Sequence, residues 1–112
     1  MADVDILGLL QKLTDKTAKG ECQWQVTNNG LRIFLKSGSI SFSYSFDDMM
    51  QGYDYTMKLF DTTEQFAHYH ADLGDDYREN LYQAFDKLKD AIENWKAAVI
   101  NGKIKNLFDE LG

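Results

Sequence analysis

The chain has 112 residues, one cysteine, no proline and a formal net charge of −6, with 44% hydrophobic, 13% aromatic and 27% charged residues. That length suits a single domain over 1–112, and the composition is too apolar and aromatic for a disordered chain. Cys22 alone excludes a disulfide framework and a cysteine-rich zinc site, no apolar run nears the roughly 20 residues that span a bilayer, and the acidic start does not read as a secretory signal.

The expectation is therefore a soluble, cytoplasmic protein in a reducing compartment, with no membrane partner. Residues 3–19 predict a helix. Asp3 or Asp5 can cap it, Ile6, Leu9, Leu10 and Leu13 share one face, and Gly20 closes it. Four strands are expected next. In Glu21 to Thr27, Cys22, Trp24 and Val26 alternate with polar residues, and Asn28-Asn29-Gly30 signals a tight turn. Leu31, Ile33 and Leu35 then alternate with Arg32, Phe34 and Lys36, ahead of a turn at Ser37-Gly38. Ser39 to Phe46 has a perfect period of two, with Ile40, Phe42, Tyr44 and Phe46 opposite four serines. After a loop over 47–52, Tyr53, Tyr55, Met57 and Leu59 form the inner face of a fourth strand. Short turns favour an antiparallel meander with one buried and one wet face.

Asp61-Thr62-Thr63-Glu64 reads as a capping-box variant that opens a short helix over 62–72. Asp76 and Glu79 have the same spacing at the start of a helix to about Ile100, with an apolar seam at Leu81, Phe85, Leu88, Ile92, Trp95 and Val99. Asn101-Gly102 is expected to stop that helix, and Ile104, Leu107, Phe108 and Leu111 to form a last short one. The predicted fold class is α+β: an N-terminal helix, a four-stranded antiparallel meander, and C-terminal helices packed on one sheet face. The seam is expected to serve the chain's own core. A homodimer through helix 76–100 is its alternative use.

The acidity is uneven. Residues 47–93 carry twelve acidic and four basic groups, more than the whole excess. On a wheel of about 100° per residue, the seam clusters near Leu81, while Glu79, Asp86, Asp90 and Glu93 fall roughly 120–180° away. This row reads either as a solvated helix face or as a docking surface for a basic protein partner. The wet sheet face offers a second candidate, with Arg32, Phe34, Lys36, Lys58 and Phe60 able to stack and neutralise single-stranded nucleic acid or a small ligand. The net charge opposes nucleic acid.

Catalysis has no signature. There is no Ser elbow, no Gly-rich phosphate loop and no cofactor motif, and Cys22 reads as a core thiol. His68 and His70 form an H-x-H pair, but in the expected helix they point about 200° apart, so no metal site is expected.

Leu9-Leu10-Gln11-Lys12-Leu13, Lys16-Thr17…Gly20…Trp24, Tyr55-Thr56-Met57-Lys58-Leu59-Phe60-Asp61 and Leu107-Phe108-Asp109-Glu110-Leu111 together resemble a class of small bacterial and mobile-element α+β domains. The resemblance implies a bacterial or phage source, carries no activity and assigns no residue. The expected function is a non-enzymatic protein-interaction domain, such as an acidic inhibitor or an immunity or anti-defence protein. Sheet-face binding is the alternative.

Overall fold

The computed structural model describes residues 4–74 and 79–112. Helix α1, Val4–Ala18, buries Ile6, Leu10 and Leu13. The capping expected of Asp3 or Asp5 lies outside the described residues and side chains. Its C-terminus gives the Lys-Thr…Gly…Trp run a physical meaning. Gly20 takes a φ of 75°, the Gly20 N–H donates to the Thr17 carbonyl at 3.0 Å, and the Glu21 N–H to the Lys16 carbonyl at 2.8 Å. That paired bond pattern around a left-handed residue is a Schellman cap. Lys16 pairs with Glu21 at 3.0 Å, and buried Trp24 donates its indole N–H to buried Thr17 Oγ1 at 2.9 Å.

Among the described residues the sheet has five strands, not the four expected: β1 Gln25–Thr27, β2 Gly30–Leu35, β3 Gly38–Asp47, β4 Gly52–Asp61 and β5 Gln65–Ala71. They run antiparallel in the order β1-β2-β3-β4-β5, an open meander. The strand expected over Glu21 to Thr27 is only Gln25–Thr27: Cys22 and Trp24 are buried but precede it, and Val26, within it, is exposed. At the β2–β3 turn Gly38 has a φ of 155°, and a Cβ there would lie 1.9 Å from the Phe60 carbonyl oxygen, so only glycine fits.

The helix expected over 62–72 is a strand. The Asp61 carboxylate does accept N–H bonds, from Thr63 at 2.8 Å and Glu64 at 2.9 Å, but these close the β4–β5 turn instead of capping a helix. A side-chain oxygen that satisfies the next two or three amides serves a turn and an N-cap alike. The free edge of β4 decides the conformation of 65–71, because it takes Ala67, Tyr69 and Ala71 into register with Leu59, Met57 and Tyr55.

Asn101-Gly102 does not stop a helix: α2 runs unbroken over Glu79–Glu110, 32 residues and roughly 48 Å of axis. The Asp76 capping box lies outside the described residues. Phe85, Leu88 and Ile92 of α2 join Leu10 of α1 and Leu31, Phe42, Tyr55 and Met57 of the sheet in one core. Both helices therefore cover the same sheet face, and among the described residues no helix covers the opposite one. The seam up to Ile92 is consumed inside the chain, while Trp95 is half-buried. Every residue from Ala97 onward is exposed.

Candidate interaction surfaces

The acidic row of α2 is less free than its wheel position suggests. Asp86 accepts a hydrogen bond from the Tyr55 hydroxyl at 2.5 Å, and Glu93 accepts one from the Tyr44 hydroxyl. Asp90 pairs with Lys89 at 3.2 Å, and Glu79 accepts from Gln83 at 3.4 Å. For Asp86 and Glu93 the cause lies in the sheet. Tyr44, Tyr53 and Tyr55 stand on its covered face in mutual ring contact and reach round the flank of α2. Lys89 lies 4.3 Å from the Tyr53 ring centre, and the Tyr53 N–H donates to the Tyr82 hydroxyl at 3.3 Å. Burial, reinforced by the carboxylate each hydroxyl faces, holds the Tyr55 and Tyr44 protons well above the ordinary phenol range. The sequence carried a signal for this arrangement, because an inward tyrosine needs a partner for its hydroxyl.

The bare face collects four of the five residues expected there. Arg32 lies in register with Ser41, and Ser41 with Lys58. The Arg32 guanidinium sits 4.4 Å from the Phe60 ring centre and 5.8 Å from that of Phe34. Ser39, in register between Phe34 and Phe60, is buried. Lys36 belongs to the β2–β3 turn and not to this face.

Because 65–71 is a strand, His68 and His70 share a side, contrary to the helical expectation. His68 stands in register with Lys58. His70 meets Asp54 and Asp72, with one ligand atom from each within 4.8 Å of the others. Asp72 also accepts the Gly74 N–H at 2.8 Å. A mixed imidazole and carboxylate set is of the kind first-row divalent ions take.

The feature that sequence reasoning missed is the arm of α2 beyond the core. Ile100 and Ile104 are each 56% exposed, Leu107 62%, Phe108 74% and Leu111 88%. At about 100° per residue, Ile100, Ile104, Leu107 and Leu111 lie roughly 80–140° from the core seam. They continue the line of the acidic row, not the line of the core. The apolar stripe of the arm is therefore no overrun of the internal seam. Reading 101–102 as a stop hid it, because a separate short helix would be free to fold back.

Between α1 and α2 runs a polar groove of about 340 Å³, lined among others by Gln11, Thr14, Asp15, Gln83 and Lys87. No helix among the described residues is long and apolar enough to cross a membrane. Compared with protein-family models, curated proteins and solved structures, the chain matches none.

Proposed function

We propose that this chain is a non-enzymatic protein-interaction domain, and that the arm of α2 is its docking element. One observation carries the reading: Ile100, Ile104 and Leu107 of α2, continued by Leu111 one residue past its end, line one exposed face with exposed Phe108 beside them. A contiguous apolar patch of that kind marks an interaction site more often than chance exposure. An amphipathic helix with i, i+4, i+7 anchors is also a recurring recognition element. The acid excess of residues 47–93 adds steering toward a basic protein partner, with Glu79, Asp90 and Glu93 the row's exposed members. Asp86 serves Tyr55 first.

A second reading keeps the bare sheet face as a binder of single-stranded nucleic acid or a small ligand. Its support is Arg32 held against Phe60 beside Phe34 and Lys58. A photo-crosslinking residue placed at Ile104, and separately at Phe34, in the native host separates the two. Protein adducts from position 104 with none from position 34 are the expected result. Nucleic-acid adducts from position 34, with no protein of any kind at 104, would overturn the reading.

A further inference from the structure

We infer that the occupant of the α2 arm is a second copy of the same arm, running antiparallel. The inference rests on the docking reading and names its partner. In a heptad frame, Ile104 and Leu111 take a positions, Ile100 and Leu107 take d, and Lys103 and Glu110 take g. Aligned antiparallel, the arms form layers of Ile100 on Leu111 and Ile104 on Leu107, each made twice by the symmetry of a dimer. This register sets Lys103 of one copy beside Glu110 of the other, twice over. Parallel alignment would set Lys103 against Phe108 and leave no cross-helix charge pair.

Charge complementarity argues for self-pairing over a basic partner at this element. Residues 97–112 hold Lys103, Lys105, Asp109 and Glu110, so the arm is neutral while the body carries the acid excess. Its cations and anions are also separated along the helix, as antiparallel self-pairing requires. Asp109 and Glu110 stand in the last turn of α2, where no basic residue balances them. A helix C-terminus disfavours negative charge, and lysines from a second copy would relieve it.

Length and area agree. The overlap runs from residue 100 to residue 111 and stops short of the body, so the two folded parts lie at opposite ends without collision. At on the order of 100 Å² per large side chain, five residues offer roughly 500 Å² per copy, about 1,000 Å² in all, the size at which specific interfaces begin.

The test uses the full chain in sedimentation equilibrium across the micromolar range. The wild type should dimerise reversibly. Leu107→Asp should be monomeric with the thermal melt of its body unchanged, since Leu107 is exposed. Lys103→Glu and Glu110→Lys should each dimerise roughly tenfold more weakly alone, and an equimolar mixture of the two should recover wild-type association. A wild type that stays monomeric overturns the inference, and so do charge variants that dimerise like the wild type. A monomer that still gives foreign protein adducts at position 104 overturns the second copy alone. Absence of any protein adduct there overturns the docking reading itself.

Discussion

The hydroxyl of Tyr55, on a wholly buried ring, donates to the Asp86 carboxylate at 2.5 Å and so ties the middle of β4 to the flank of α2. Around it, Phe42 and Phe85 pack against the same ring at centroid distances of 5.9 and 5.7 Å. Tyr55→Phe keeps those contacts and removes only the hydroxyl. The expected loss is about 1.5–3 kcal/mol, the range for a hydrogen bond to a charged group. Urea unfolding of Tyr55→Phe, Asp86→Asn and the double variant should give a coupling well above zero. Additive effects would mean that the pair contributes nothing.

Alkaline pH should find the same place. The hydroxyls of Tyr44 and Tyr55 are held above the phenol's ordinary value of 10.0, by burial first and then by Glu93 and Asp86. The resulting stability is fully present below that value. It falls as pH rises past it, because the unfolded chain then releases protons that the native chain keeps. A phenolate absorbance titration should therefore show two of the six tyrosines ionising only as far-UV circular dichroism is lost. The Tyr44→Phe, Tyr55→Phe double variant should flatten that alkaline limb.

Thr17 and Trp24 make the corresponding joint at the other end of the core. Thr17→Val is nearly isosteric and leaves a buried indole N–H without its acceptor. The expected cost is about 1–3 kcal/mol. Thr17→Ser should recover most of it. Equal stability of Val and Ser at this site, measured by chemical denaturation with Trp fluorescence, would contradict a role for the hydroxyl.

Gly102 lies in the interior of α2, and a Cβ there meets nothing within 4 Å. Gly102→Ala should stabilise the arm by about 0.5–1 kcal/mol. The measurement is amide exchange of residues 99–110, whose protection should rise. Unchanged or reduced protection would place a break at 101–102.

Much of this molecule was legible in the residues alone. The period of two in Ser39 to Phe46 and the alternation of Tyr53 to Leu59 fixed two strands and their inner faces, because one side chain in two must leave water. Leu81, Phe85, Leu88 and Ile92 marked the inward line of α2 for the same reason at a helical period. Cys22 as a core thiol and the closure of α1 at Gly20 also follow from local pattern. Arg32, Phe34, Lys58 and Phe60 fell together because strand parity places them.

Tertiary structure decided the rest, and each case has one physical cause: a local signal that two structures satisfy equally. Asp61 binds the same amides in a turn as in a helix cap, so only the open edge of β4 made 65–71 a strand and brought His68 and His70 to one side. Asn101-Gly102 is a helix-weakening pair, with the glycine costing about 1 kcal/mol, and α2 runs across it all the same. A wheel places Asp86 and Glu93 far from the core line. It cannot show that tyrosines from a neighbouring sheet reach round to meet them. The sequence by itself determined which faces turn inward. Tertiary structure alone decided which acids stay free and that the apolar stripe of residues 100–111 is left facing water, since both depend on what stands opposite.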